Sequence, residues 1–343
     1  MKRVILIAGL LIPLLVVGTV AWRRVHAVEN ALIEVRVQIG TRQATAQLDQ
    51  LSRDHPRNPE VQFLSARQAR LASKPRQAST ALDRAEQLGW PLAEIERERT
   101  LLLAVTDFRQ ARPALDRLLV DHPQDADTLL AMAEGETQVG HTELAAEYAS
   151  RVLDRNANDV RAHAIRGKAW LQARRLDLAR ADLEVVLTHP DSVVFDATRL
   201  TLATCLLDLG EFAKAYEHFY AAQVDDPDNL FAVFGVGRAS AYLRRFDEAE
   251  AAFAKVLNLR PGHVETLLSL AQVVEQRGDL SGALKLLEQA ERGEPTRAET
   301  HSRLAKLLAA LGRDDQATAH EIRYRQIEAD RVKNTKLKTE SSP

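Results

Sequence analysis

The 343-residue chain has one cysteine, which excludes an intramolecular disulfide framework and a zinc site built from four thiolates. Glycine (15) and proline (12) are sparse, and aromatic residues make up only 5% of the chain. This composition argues against a β-sandwich or a collagen-like protein. Because lysine plus arginine (46) nearly equals aspartate plus glutamate (48), no basic excess indicates nucleic-acid binding. With 45% hydrophobic residues, we expect a folded, mostly helical protein.

The sequence also lacks the short motifs that mark common active sites. It contains no phosphate-binding loop, no nucleophile elbow and no H-E-x-x-H zinc motif. Its ten histidines are scattered, and Cys205 lies among helical leucines, where a packing role is expected. We therefore predict a non-enzymatic protein with no cofactor, no metal and no nucleic-acid partner. An enzyme whose residues converge from distant helices is the disfavoured alternative.

The N-terminus contains the one long apolar run, residues 4–22, which have no charge. A run of this length between Lys2-Arg3 and Arg23-Arg24 predicts a single transmembrane anchor over residues 1–24. A cleaved signal peptide is the alternative. Positive charges on both sides leave the orientation open. We expect a single-pass protein of a bacterial inner membrane with a periplasmic body, because a short basic start resembles a signal-anchor.

An internal repeat covers the rest of the chain. Nine alanines recur at intervals of 33 to 36 residues: Ala44, Ala78, Ala111, Ala145, Ala179, Ala215, Ala249, Ala283 and Ala317. Twelve residues before seven of them stands another small residue, and twelve residues after five of them stands a proline. A repeat of this length predicts two amphipathic helices per unit that approach closely at their small residues. Glycine five residues before the alanine, as at Gly210, is expected to end the first helix.

The pattern resembles the tetratricopeptide repeat, a 34-residue helix–turn–helix unit. The resemblance is strongest in residues 230–263, which contain Gly237, Phe246, Ala249, Phe253 and Pro261. It implies an all-α fold, a right-handed solenoid of stacked helical hairpins behind the N-terminal transmembrane helix. It also implies that the partners are other proteins or peptides.

The repeats divide the chain into a membrane segment, a solenoid over 25–331 and a tail over 332–343, which we predict to be disordered. The predicted units are 25–58, 59–91, 92–125, 126–159, 160–195, 196–229, 230–263, 264–297 and 298–331, the last a polar cap. The first unit has Leu32 at its small position, so a linker helix that continues the membrane segment is an equal alternative. The unit 160–195 is two residues longer than its neighbours.

In the resembled family, first-helix residues line the concave surface that binds partners. Reading those positions predicts a groove with basic and aromatic groups, which are common at interface hot spots. The candidate residues are Arg161, Lys168, Thr204, Phe231, Phe234, Arg238 and Tyr242. The asparagines of the family's carboxylate clamp are absent at the matching positions, so that clamp is not predicted.

These features together predict a membrane-anchored scaffold that assembles or recruits a bacterial envelope complex through its groove. A soluble exported form, released by signal cleavage and acting in the periplasm, is the alternative. The architecture is similar to that of the lipopolysaccharide assembly regulator, but the paired cysteine motifs of that family's zinc module are missing. That specific function is therefore not predicted.

Overall fold

A computed structural model describes the backbone of residues 27–340 and the side chains of residues 27–333. This part of the chain folds into eighteen α-helices and contains no β-strand. Helix α1 covers residues 27–38, and the others are α2 (Arg42–Asp54), α3 (Pro59–Leu71), α4 (Pro75–Gln87), α5 (Leu92–Thr106), α6 (Phe108–Asp121), α7 (Ala126–Val139), α8 (Thr142–Leu153), α9 (Val160–Gln172), α10 (Leu176–Leu187), α11 (Phe195–Asp208), α12 (Phe212–Asp225), α13 (Leu230–Tyr242), α14 (Phe246–Leu259), α15 (Val264–Gln276), α16 (Leu280–Gly293), α17 (Ala298–Ala310) and α18 (Asp314–Glu340). Each predicted unit contains one pair of helices.

The helices form two compact units, divided between Thr198 and Arg199. The first unit contains α1 to α10 and the start of α11, and the second contains the rest of α11 and α12 to α18. In the first unit, α1 buries Leu32 and Val35 against Leu48 of α2. These two helices share one hydrophobic cluster with α3, α4 and α5, and Leu32 is buried in it.

The junctions between repeats show why the first helices begin where they do. Asn58, Asp125 and Asn229 each stand two residues after a proline and accept a hydrogen bond from a backbone N–H of the helix that follows. Each such cap contributes about 1 kcal/mol to helix stability. The proline stops one helix and the cap starts the next, so the junction fixes the repeat length.

In seven of the nine hairpins, the turn has a left-handed residue five residues before the periodic alanine. Gly210 has a φ of 80°, as expected for a glycine that ends a first helix. Arg174 and Arg244 occupy the same position in their repeats and have φ values of 60° and 59°. A left-handed conformation costs a non-glycine residue about 1–2 kcal/mol. The packing of the two helices therefore imposes the turn even where the sequence does not favour it.

Close packing between helices depends on small residues. All nine periodic alanines are buried, the most exposed being Ala317 at 8%. A Cβ atom placed on Gly237 would lie 2.6 Å from the ring of Phe253, and one on Gly235 would lie 2.3 Å from the ring of Phe219. The glycines thus leave the space that the phenylalanine rings of the neighbouring helices occupy.

Replacing Gly235 by alanine tests this packing. We expect Gly235→Ala to lower the free energy of unfolding by about 2 kcal/mol, because the new methyl group displaces Phe219 from a filled core. Chemical denaturation followed by circular dichroism measures the change. The control is Gly262→Ala, where a Cβ atom meets nothing within 4 Å. Equal stability of the two variants would contradict the packing argument.

The chain ends differ in what the structure shows of them. Within residues 27–340, no helix is both long enough and apolar enough to cross a membrane. The predicted anchor over residues 1–24 lies outside the described residues. At the other end, α18 continues to Glu340, so residues 332–340 are helical where the sequence analysis predicts a disordered tail. No glycine or proline interrupts residues 314–342, which explains why the helix continues.

Candidate functional site

The first helices of successive repeats form one face of each compact unit, which we call the first-helix face. In the first unit this face holds a cluster of buried ionic side chains. Asp127 of α7 pairs with Arg67 of α3 at 2.6 Å and with Arg161 of α9 at 2.9 Å. Arg70 of α3 pairs with Glu98 of α5. The cluster therefore joins the first helices of four consecutive repeats.

The environment of Asp127 keeps it ionised. Burial opposes the charge, but the guanidinium groups of Arg161, Arg67 and Arg70 outweigh it and hold the pKa of the Asp127 carboxyl well below its usual range. Burial likewise opposes the charge of Arg70, and the carboxylate of Glu98 outweighs it and raises the pKa of Arg70. Each of these buried charges thus has an opposite charge beside it, and these arginines are already paired.

A backbone segment also covers this face. The Val193 N–H donates to the carbonyl of Gly40 at 3.0 Å, and the Arg42 N–H donates to the carbonyl of Asp191 at 2.7 Å. Val194 lines a cavity of about 90 Å³ together with Asp127 and other residues of the ionic cluster. The two extra residues of the unit 160–195 belong to this segment, so its greater length has a structural role.

Neutralising Asp127 tests the ionic cluster. We expect Asp127→Asn to lower the free energy of unfolding by about 3 kcal/mol at neutral pH, because Arg67 and Arg161 lose the buried carboxylate that pairs with them. A carboxyl with a lowered folded-state pKa stabilises the protein above its unfolded pKa, about 3.9, and this stability is lost as the pH falls through the folded pKa. The wild-type chain and the variant should therefore converge in stability in acid.

Denaturation curves measured from pH 7 downwards provide the test. Asp83→Asn is the matched control, because Asp83 pairs with Arg99 at 2.8 Å on an exposed surface, where an ion pair contributes little. A constant difference between the wild-type chain and Asp127→Asn at every pH would contradict the assignment.

Two of the predicted groove residues lie in the first unit. Arg161 is paired with Asp127 inside the cluster, and Lys168 is exposed on α9. Sequence positions alone do not separate these roles, because the partner of Arg161 comes from a neighbouring repeat. Arg161 thus has a role inside the fold, while Lys168 remains at the surface.

The second unit has a different first-helix face. Arg238 and Tyr242 of α13 line a pocket of about 70 Å³ with Gln272 and Gln276 of α15. Tyr242 is 51% exposed and stacks on Phe212 with ring centroids 4.4 Å apart. The guanidinium of Arg238 lies over the ring of Phe234 and pairs with no carboxylate among the described residues. Donors and an aromatic surface are therefore available here.

The remaining predicted residues have separate positions in this unit. Phe234 is half-buried against Phe253, with ring centroids 5.8 Å apart. The face of its ring contacts the guanidinium of Arg238. Phe231 is 53% exposed and meets Phe219 edge to face. Thr204 donates its hydroxyl hydrogen to the carbonyl of Leu200 at 3.0 Å within its own helix. The structure thus brings Phe234, Arg238 and Tyr242 together.

The face continues onto residues that the sequence analysis did not select. Gln272 and Gln276 also line a second open pocket with Glu299 and Arg303 of α17. Arg303 donates to the carbonyl of Leu268 at 2.9 Å, and burial lowers the pKa of its guanidinium. Gln272, Gln276 and Glu299 occupy the unit positions of Arg238, Tyr242 and Phe231 in the two following repeats, and Arg303 lies at a position that no chosen candidate occupies. Reading those positions through every repeat would have found the first three of these residues.

Comparisons with known proteins agree with this architecture. Sequence profiles of the tetratricopeptide repeat match residues 130–192, 242–290 and 275–333, so the chain contains tetratricopeptide repeats there. A solved structure, the APC/C hetero-tetramer Cut9-Hcn1, is similar with a TM-score of 0.63 at 15% identity, over 82% of this chain and 56% of that one. The fold is therefore an all-α solenoid of the tetratricopeptide type.

A curated relative is also similar in sequence. The tetratricopeptide repeat and J domain-containing co-chaperone DNJ1 of Fusarium oxysporum f. sp. lycopersici is 32% identical over 130 residues. The match covers 35% of this chain, which spans about a quarter of the length of that protein (25%). The similarity supports the presence of the repeats in this chain.

Proposed function

We propose that the protein is a non-enzymatic interaction scaffold that binds a protein segment on the first-helix face of its second unit. The observation that supports this most is the contrast between the two units. In the first unit, ion pairs and the segment 190–194 occupy the first-helix face. In the second, Arg238 pairs with no carboxylate among the described residues and Tyr242 is half exposed. An unpaired arginine beside an exposed aromatic ring favours binding.

The chemistry of this face indicates what the partner presents. Arg238 can receive a carboxylate in a bidentate pair, and the ring of Tyr242 offers an apolar surface. Gln272 and Gln276 have both donors and acceptors, which suit the free backbone N–H and C=O groups of an extended segment. We therefore propose a partner segment in which an acidic residue lies next to an apolar one.

A double substitution tests the proposed face. A photo-crosslinking residue at position 242 is used in living cells to identify the bound segment, which is then synthesised. We expect Arg238→Glu with Tyr242→Ala to weaken binding of that segment by at least tenfold, because it removes the charge pair and the aromatic contact. Titration calorimetry measures the affinity, and circular dichroism checks that the variant is folded.

The matched control is Arg260→Glu, the same charge reversal at an exposed residue directly after α14 in the same unit. It should bind the segment as the wild-type chain does. Unchanged affinity in the double variant would place the binding site elsewhere on the protein.

We further propose that the scaffold is anchored in a bacterial inner membrane by residues 1–24, with its body in the periplasm, where it assembles or recruits an envelope complex. The uncharged run over residues 4–22 supports an anchor. A soluble periplasmic form released by signal cleavage is the second candidate, which the basic start and apolar core of the same segment also favour.

Mass spectrometry of the mature protein separates the two forms. The anchored form keeps the full mass of 38.2 kDa and sediments with membranes. A smaller mass in the soluble fraction would support the cleaved form. A C-terminal reporter active only in the periplasm should give a signal in both cases, and activity of a cytoplasmic reporter would contradict export.

A further inference from the structure

Three potential metal ligands converge at the end of the second unit. Glu291 of α16, His301 of α17 and His320 of α18 each offer one ligand atom, and these atoms lie within 4.8 Å of one another. The Nδ1 atoms of His301 and His320 are 3.1 Å apart. Glu291 Oε1 lies 3.6 Å from the Nδ1 atom of His301 and 3.7 Å from the Nδ1 atom of His320. Three helices of two repeats thus contribute to one cluster.

The other ring nitrogen of His301 fixes its tautomer. His301 Nε2 lies 2.8 Å from the carbonyl oxygen of Pro295. A carbonyl only accepts hydrogen bonds, so Nε2 carries the hydrogen and, in the neutral imidazole, Nδ1 presents its lone pair. Metal-bound histidines commonly make such a second hydrogen bond, which orients the ring. His301 is therefore already oriented as a ligand towards His320 and Glu291.

The spacing of the three atoms suits tetrahedral coordination. Two ligand atoms at about 2.0–2.2 Å from a zinc ion, separated by a tetrahedral angle, lie about 3.3–3.6 Å apart. The observed separations of 3.1, 3.6 and 3.7 Å lie within a few tenths of an ångström of that range. An ion at the centre of the three atoms would need only small side-chain movements.

The repeat 160–195 has a histidine at the same position but pairs it with a carboxylate instead of a second histidine. His163 occupies the position of His301, and its Nε2 also contacts a backbone carbonyl, that of Ala157, at 2.9 Å. Its Nδ1, however, contacts a carboxylate oxygen of Asp182 at 2.8 Å. Arg166 also binds Asp182 through two hydrogen bonds of 2.8 Å. In that repeat, the carboxylate of Asp182 is therefore bound by both His163 and Arg166.

The last repeat replaces that paired arrangement by a set of ligands. His320 stands where the earlier repeat has Asp182, and Leu304 stands in place of Arg166. Glu291 occupies the position of Leu153. The cation that bound the aspartate is absent from this position, and a carboxylate is added near two imidazoles. These three changes together convert an ion pair into a donor set that lacks its cation.

We propose that Glu291, His301 and His320 bind one divalent first-row transition-metal ion, with zinc as the physiological ion. Two imidazoles and one carboxylate are a donor set that zinc accepts with one position left open. His301 is buried, while the side chains of His320 and Glu291 are 22% and 32% exposed, so solvent can reach the open position. Water or a side chain of a bound protein would complete the coordination.

The ion would join the last repeat to the one before it. In a stacked repeat protein, the terminal repeat has a neighbour on one side only and is stabilised through that single interface. A metal bound by α16, α17 and α18 adds a link across this interface, and ligand binding stabilises the folded state. The site is separate from the proposed binding face, so either proposal can fail without the other.

Cobalt titration of the full chain tests the proposal. The protein is treated with EDTA, dialysed and titrated with Co²⁺, whose visible absorption reports four-coordinate binding. We expect saturation at one equivalent and displacement of the cobalt by Zn²⁺. His320→Gln and Glu291→Gln should each weaken the affinity by about tenfold or more. Zn²⁺ should raise the thermal midpoint of the wild-type chain but not that of His320→Gln.

The two variants are chosen because both side chains are partly exposed, whereas a change at the buried His301 could prevent folding. His122→Gln, a change at an exposed histidine of the first unit, is the matched control and should bind Co²⁺ as the wild-type chain does. Absence of the four-coordinate absorption at one equivalent would overturn the proposal. Wild-type affinity in either ligand variant would overturn it as well.

Discussion

Close approach of two helices within each repeat is the constraint on which the rest of the structure depends. Two backbones can come together only where neither presents a large side chain, and the nine periodic alanines meet this condition on the second helices. Gly235 and Gly237 do the same on a first helix, where phenylalanine rings of other helices fill the space. The turn between the helices follows from this packing, because arginines adopt the left-handed conformation where glycine is missing.

With the helices held in this way, every first helix presents the same positions to one face of its unit. The first unit uses those positions for internal contacts, since Asp127 pairs with Arg67 of an earlier repeat and with Arg161 of the following repeat. The second unit presents Arg238, Tyr242 and two glutamines on its first-helix face. One framework thus serves stability in one unit and, in the other, presents the surface that we propose for binding.

The last repeat shows how few changes alter the chemistry at one position. A histidine that contacts a backbone carbonyl occurs in both the fifth and the ninth repeat. Its neighbour is Asp182 in one and His320 in the other, and the surrounding arginine and leucine are replaced as well. Because the backbone is the same in both repeats, these side-chain differences can be compared directly. They turn an ion pair in the fifth repeat into the proposed set of metal ligands in the ninth.

The sequence by itself determined the repeat, its length and the glycine turns, because helix packing requires small residues at a fixed spacing. The resemblance to the tetratricopeptide repeat implied which positions face the same side, so Arg238 and Tyr242 could be selected together. Only the tertiary structure decided that Arg161 is held by Asp127 and that residues 190–194 cover the same face, since these contacts join separate repeats. The meeting of Glu291, His301 and His320 was likewise decided by packing, because ligands from three helices have no fixed spacing along the chain.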